Sequence, residues 1–376
     1  MIVGFDGKRA VANFTGLGNY SRFVIGALSN KFQNELYKVF APKRKNNKEF
    51  STLLKKSTID LYPQSKFAKL MPSVWRSKLI LKDLKRENVE IFHGLSGELP
   101  FGISKTDIKS VVTIHDLIFR HYPQYYKAID RTIYNYKFRR ACKEADKIIA
   151  VSNCTKRDII AYYNIPEEKI VTIYQGCHPN FKAEPNEELI KEVCTKYNLP
   201  KRYIACVGTI EERKNLMLAA KAMVHLPEDV YLIAVGRKTQ YAKEVEEFCI
   251  KNGLANRVRI IEGVPFKYLP SIYHAAKLFI YPSRFEGFGI PIVEAISAGL
   301  TGVAATGSCL EEAGGDGVVY VNPDSVEECA TALNKLLTDK EYRQSLIAKG
   351  QEHIKAFAPD VIAEEIMKLY KEILKA

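Results

Sequence analysis

Two kinds of block alternate along this chain. Short runs rich in β-branched and aromatic residues read as buried strands, and longer stretches with apolar residues every three or four positions read as helices packed on them. The second half shows this most cleanly, with strands expected at Tyr203–Val207, Tyr231–Val235, Val258–Ile261, Leu278–Tyr281, Gly302–Ala305 and Val318–Val321. Helical stretches separate these runs, so a parallel sheet covered on both faces is expected. In the first half, strands are expected at Ile2–Phe5, Ile91–His93 and Ser110–His115, in the run ending at Ser152 and in KIVTIY near 169–174. Helices are expected over Phe23–Leu28, over Tyr125–Cys142, from Asn153, and from Ser325 to the end, whereas 41–90 has no regular period. The pattern is α/β with two domains, 1–178 and 201–357, joined by a charged, strand-poor connection at about Pro179 to Lys201.

Composition changes this picture in three ways. A chain of 376 residues is long enough for two full cores. No run approaches the roughly 20 apolar residues of a membrane span, and the opening MIVGFDGKRA is too short an apolar run for a secretory signal, so a cytoplasmic protein is expected. The eight cysteines are scattered without a Cys-x-x-Cys pair or a Cys/His cluster, which reads as reduced thiols.

The formal net charge of +13 calls for an anionic partner: nucleic acid, a membrane surface or a small anionic substrate. Between Ala41 and Glu90 thirteen basic residues face five acidic ones, leaving +8 in that stretch alone. Part of it, 66–86, mixes Phe67, Leu70, Met71, Val74 and Trp75 with Lys and Arg. It reads either as a peripheral contact with an anionic membrane, Trp75 at the interface, or as a solvated basic helix whose Trp is core. No helix-turn-helix, zinc finger or aromatic RNA-binding motif accompanies the charge, so nucleic acid is not expected.

The candidate chemistry centres on LFIYPSRFEGFGIPIVEAISAG, residues 278–299. A buried strand passes into a Pro/Ser/Gly loop, and Pro291 stands where a first-turn proline fits a helix. Strand, glycine loop and helix start favour an anion, typically phosphate, around Phe288, Gly289 and Ile290. Glu286 and Glu294, eight positions apart, flank that place. They read as acceptors for sugar and ribose hydroxyls, or as a capping Glu286 and a solvated Glu294; the residues alone leave both open. Arg213 and Lys214 follow the Tyr203–Val207 strand beside Asn215, which reads as a helix cap. They read as phosphate-binding cations or as solvated loop residues. FTGLGNYSRF, with Gly16 and Gly18, is a second strand–glycine–helix arrangement, without the G-x-G-x-x-G of dinucleotide binding. A strand end also presents His115 and Asp116.

EGFGIPIVEA resembles the signature of the retaining glycosyltransferases of family four, with the two-Rossmann-domain GT-B fold. The resemblance extends along nearly the whole chain. It implies two Rossmann-like domains facing across a cleft, with a C-terminal helix, 358–376, crossing back to complete the first. It implies that GLGNY, with Gly16 and Gly18, faces the donor phosphates and the acceptor, that His115 in TIHDL lies beside the donor sugar, and that Lys214 is the family's diphosphate lysine. Many relatives have Arg where this chain has Thr209, and Arg213 would supply that charge. Val264 would lie near the nucleobase, Glu286 on sugar hydroxyls and Glu294 on the ribose. From Leu300, LTGVAATGSC departs from the family's usual proline-led strand.

The expected function is a retaining, metal-independent hexosyltransferase, moving a hexose from a nucleotide-sugar donor, GDP-mannose favoured, to a saccharide or lipid-linked acceptor in cell-surface polysaccharide synthesis. No cofactor is expected, and the sequence has no Asp-x-Asp. Two alternatives stand beside it: another GT-B enzyme, such as a sugar-nucleotide epimerase, and a non-enzymatic basic protein that binds polyanions.

Overall fold

In the computed structural model, which describes residues 1–375, seven parallel strands form the first sheet. They are β1 (Ile2–Asp6), β2 (Leu36–Phe40), β3 (Thr58–Leu61), β4 (Ile91–Gly94), β5 (Lys109–Ile114), β6 (Lys147–Ala150) and β7 (Ile170–Thr172), in the spatial order β3-β2-β1-β4-β5-β6-β7. Six more form a second parallel sheet: β8 (Tyr203–Val207), β9 (Tyr231–Val235), β10 (Val258–Ile261), β11 (Leu278–Tyr281), β12 (Gly302–Ala305) and β13 (Val319–Val321), ordered β10-β9-β8-β11-β12-β13. Each sheet belongs to its own compact unit, one of Met1–Gly176 with the stretch from Phe357, the other of Cys177–Ala356. The strands of the second sheet fall where the hydropathy pattern puts them. Of these, β8, β9, β11 and β12 are continuous apolar runs, as strands buried on both faces are, and such runs are the easiest to read; Arg259 interrupts the edge strand β10.

The first sheet departs from expectation at its edge, where β2 and β3 occupy chain that carries no strand signal. Asp60 interrupts the four-residue β3, and Lys38 the middle of β2, so neither forms an apolar run. Residues 179–200, expected as a charged, strand-poor connection, hold no strand. They hold a helix, Glu187–Lys196, capped by the Asn186 side chain, which accepts from Leu189 N at 2.9 Å, and this helix packs in the second unit against Leu269–Ala275.

The C-terminal helix, Pro359–Lys375, packs on the first unit against the helix Gly16–Lys31. Its buried Ile362, Ile366, Met367, Leu369, Tyr370 and Ile373 follow the three-to-four spacing of one helix face and join the core around β1. Burial of each such large side chain contributes about 1.5–3 kcal/mol. Tyr370 adds a polar lock. Its hydroxyl lies 2.6 Å from His93 Nδ1 in the fully buried interior, and His93 Nε2 lies 2.8 Å from Thr113 Oγ1.

Trp75 resolves the two readings of 66–86 in part. It is 1% exposed, and its indole N–H donates to Asp83 Oδ2 at 2.6 Å, so it is a core residue and not an interfacial anchor. The apolar side chains left on the surface there are Phe67, Leu70, Met71 and Val74. Among the described residues, no helix is long and apolar enough to cross a membrane.

Candidate active site

In the second sheet, chain connections leave β8 toward β9 on one side, and β11 pairs with β8 on the other, with Leu278 opposite Ile204. The order of strands reverses between β8 and β11, and open α/β sheets hold ligands beyond the carboxyl ends of strands at such a point. Both candidate segments emerge there. β8 runs into Gly208 and a single 3₁₀ turn, Glu212–Lys214; β11 runs into the loop 282–289 and then the helix Ile290–Ser297.

Those two segments meet in one charge cluster. Lys214 Nζ lies 3.0 Å from Glu286 Oε1, and Arg213 Nη1 lies 2.8 Å from the same oxygen. Tyr281 and Ser283 donate hydroxyl hydrogen bonds to Oε1 at 2.9 and 2.8 Å, and Lys214 in turn donates to the Tyr281 hydroxyl at 2.7 Å. All of these contacts fall on Oε1, and none of the described ones involves Oε2. Arg213 is fixed further by Glu211 at 2.7 Å and by the Phe285 carbonyl. Burial alone would raise the Glu286 carboxyl, but Lys214 and Arg213 outweigh it and hold the group at about 2. The same pairing pushes the Arg213 guanidinium upward, against its own burial. Glu286 is therefore ionised throughout the physiological range, and neither a cap nor a solvated loop residue.

Glu294 differs in kind. It is 7% exposed on the inner face of its helix, and burial raises it to about 8; the hydrogen bond from Tyr273 and the charge of Lys214 offset only part of that. Near neutral pH it is mostly a protonated acid, able to donate as well as accept. The reading of a solvated helix residue is corrected. Gly289 immediately before the helix has φ +111, and a Cβ there would stand 2.9 Å from Leu310 Cδ2. Phe288 is buried beside it, and Ile290 is the first helical residue. Asn215 stands at the expected N-cap position of the helix Leu216–Ala222, with φ +56, and its side chain makes no capping bond but donates to the Pro323 carbonyl at 2.8 Å. Val264 follows the edge strand β10, with β9 between it and β8, and is half-buried.

Gly16, Gly18 and His115 belong to the first unit. The expected glycine loop there is already helix: Gly16–Lys31 begins at Gly16, with Lys8–Ala12 a short helix before it. The Asn13 side chain turns the corner, accepting from Thr15 N at 2.9 Å and Gly18 N at 3.1 Å, so the Gly18 N–H is occupied. Gly18 is required by packing, since a Cβ would stand 1.9 Å from the Asn13 carbonyl oxygen, whereas a Cβ on Gly16 meets nothing. At His115, Nε2 bonds the Leu95 carbonyl at 2.9 Å and Nδ1 the Gln175 amide at 3.1 Å. Burial holds the ring down at about 4, so it is neutral, with both nitrogens engaged. Tyr20 packs edge-on against it at 4.6 Å.

Sequence reasoning missed Tyr281, Ser283 and Tyr273, the hydroxyls that bond the two glutamates. A Tyr and a Ser at the end of an apolar strand, within five residues of Glu286, were the available signal; Tyr273 gave none.

Comparison with known proteins bears on the family and the fold. Residues 191–353 match the family described as Glycosyl transferases group 1, and residues 27–181 match Glycosyltransferase Family 4. The O-antigen chain mannosyltransferase B of Escherichia coli is 29% identical over 287 residues, which are 75% of this chain and 74% of that protein. The O-antigen chain mannosyltransferase RfbU of Salmonella typhimurium is 25% identical over 225 residues, 60% of each chain. Among solved structures, Anabaena HepE in complex with UDP-glucose superposes with a TM-score of 0.74 at 19% identity, covering 99% of both chains. Two family matches that together span both units, over a pair of parallel Rossmann-like sheets, place the chain among the glycosyltransferases of family four: it is a GT-B glycosyltransferase.

Proposed function

We propose that this glycosyltransferase moves a hexose from a nucleotide sugar to a saccharide or lipid-linked saccharide acceptor in cell-surface polysaccharide synthesis, with retention at the anomeric carbon and without a metal. The observation that carries the reading is the Arg213–Lys214–Glu286 cluster at the β8/β11 switch point. A departing nucleoside diphosphate needs positive charge that is already in place. Lys214 and Arg213 supply it, together with backbone N–H groups at Phe288–Ile290. Glu286, pinned through Oε1, keeps Oε2 for hydroxyls of the donor sugar. Glu294, protonated near neutrality, hydrogen-bonds the ribose. His115, with both nitrogens committed, contacts the donor sugar without acting as a general base.

GDP-mannose is the favoured donor, because the O-antigen relatives are named mannosyltransferases. UDP-glucose is the competitor, since HepE was solved with it. Val264 would border the base. Exposed Phe67, Leu70 and Met71 beside Lys66 and Lys69 support a peripheral contact with an anionic membrane. Incubation of the protein with GDP-mannose or UDP-glucose, a saccharide acceptor panel and EDTA tests the reading. An α-linked product from an α-linked donor supports it. An inverted product, or activity abolished by EDTA and restored by Mg²⁺, contradicts the corresponding part. Conversion of the donor to an epimer without acceptor would favour the epimerase.

A further inference from the structure

Four buried polar side chains of the first unit join into one hydrogen-bonded relay. The Tyr370 hydroxyl, on the C-terminal helix, lies 2.6 Å from His93 Nδ1 on β4. His93 Nε2 lies 2.8 Å from Thr113 Oγ1 on the neighbouring β5, and the same oxygen lies 3.1 Å from the Tyr20 hydroxyl. Tyr20 belongs to the helix Gly16–Lys31, on which the C-terminal helix packs. Burial pushes both phenols up and the imidazole down to about 3, so no member of the relay carries charge.

A neutral imidazole has one donor and one acceptor nitrogen. His93 therefore couples its two neighbours. If Nδ1 accepts from Tyr370, Nε2–H donates to Thr113, and the other tautomer reverses both bonds. Thr113 then meets Tyr20 with its remaining hydrogen or lone pair. A change at Tyr370 reaches Thr113 through the tautomer, and bonds linked in this way strengthen one another. The far end of the relay is Tyr20, whose ring stands edge-on to His115 at 4.6 Å, with 89° between the planes. Thr113 and His115 are alternate positions where β5 ends, so the relay and His115 share one face.

Leu95 and Gln175 hold His115 by its two nitrogens. Hydrogen bonds to ring nitrogens lie near the ring plane and do little to stop the ring from rocking about the line through both atoms. A second ring perpendicular to the first opposes that motion. We propose that Tyr20 is a positioning residue for His115, and that Tyr370 on the C-terminal helix sets it through His93 and Thr113. The inference rests on the reading of His115 as the residue beside the donor sugar. It gives the C-terminal helix a part in turnover besides its part in the core.

Two readouts separate positioning from packing. The first is the His115 ring signal in NMR spectra of the ligand-free protein labelled at its histidine rings, assigned with His115→Gln. The second is steady-state transfer from GDP-mannose or UDP-glucose to the acceptor panel. Tyr20→Phe strands no atom, because Thr113 keeps His93. Tyr370→Phe cuts the relay at its other end, and Thr113→Val takes its place should Tyr370→Phe not fold. Both single variants should move the His115 signal and lower kcat about tenfold, with the donor KM within about twofold of wild type. Tyr20→Phe/Tyr370→Phe should lose no more kcat than either single variant, because a relay already cut cannot be cut again. A His115 signal unchanged in Tyr370→Phe, or kcat losses that multiply in the double variant, overturns the proposal. A lowered kcat in His115→Gln with wild-type kcat in both Phe variants sinks the relay and spares the donor-sugar reading. If His115→Gln turns over like wild type, that reading fails, and the His115 signal alone decides for or against the positioning.

Discussion

Glu286 and Glu294 stand eight residues apart in one loop and helix, yet hold opposite protonation states. Lys214 and Arg213 press the first to about 2, while burial lifts the second to about 8. A pair of carboxyls driven apart in this way marks a site with divided roles. Here one group is a fixed anion that organises two cations, and the other is a neutral acid placed for hydroxyl recognition.

The raised Glu294 makes stability depend on pH with a defined sign. Its folded value of about 8 lies above the ordinary 4.5. Stability linked to it is therefore complete below pH 4.5 and lost as pH rises through about 8. At pH 7 the penalty is on the order of 3 kcal/mol. Glu294→Gln should leave the melting temperature nearly unchanged at pH 4.5 and raise it by several degrees at pH 8. An offset independent of pH would reject the raised value. The same variant should weaken nucleotide binding.

The glycines should behave unequally. Gly289→Ala places a Cβ at φ +111 against Leu310 and should cost about 1–3 kcal/mol, with a loss of nucleotide affinity. Gly18→Ala, driven into the Asn13 carbonyl, should be worse. Gly16→Ala, with open space around it, should unfold like wild type. Thermal unfolding of the three variants checks the order.

Tyr370→Phe removes the hydroxyl beside His93 Nδ1, in a fully buried pocket. An unsatisfied buried polar atom costs about 1–3 kcal/mol. Urea unfolding should show that loss without a change in nucleotide binding. A neutral result would mean that the C-terminal helix is held by its apolar face alone.

Phe67→Ser/Leu70→Ser should reduce binding to vesicles of anionic lipid at least tenfold, with an unchanged melting temperature, because both side chains are exposed. Wild type that ignores such vesicles in flotation would end the membrane contact. Trp75 is no substitute anchor, being tied to Asp83 inside the unit.

What the sequence made legible follows from the physics of each element. The inner strands of the second sheet, β8, β9, β11 and β12, are covered on both faces, so their residues are apolar and the runs stand out. β2 and β3 carry Lys38 and Asp60 near a sheet edge and leave too short a pattern. Glu286, Lys214 and Arg213 were legible as a motif, but their convergence on one oxygen depends on β8 and β11 being neighbours, which strand order decides. The protonation of Glu294 was not legible, because burial on a helix face is a property of what packs above it. Trp75 is ambiguous for the same reason: an amphipathic basic stretch looks alike whether its apolar side meets lipid or core.

The most direct test of the central claim compares turnover and donor binding in wild type and Lys214→Ala. Removing Lys214 leaves Glu286 paired with Arg213, so the fold should persist, with circular dichroism unchanged. Turnover of the nucleotide sugar should fall about 100-fold or more, as for the loss of one preorganised charge on a leaving group. A folded Lys214→Ala protein that transfers sugar at the wild-type rate would contradict the assignment of the switch-point cluster as the diphosphate site.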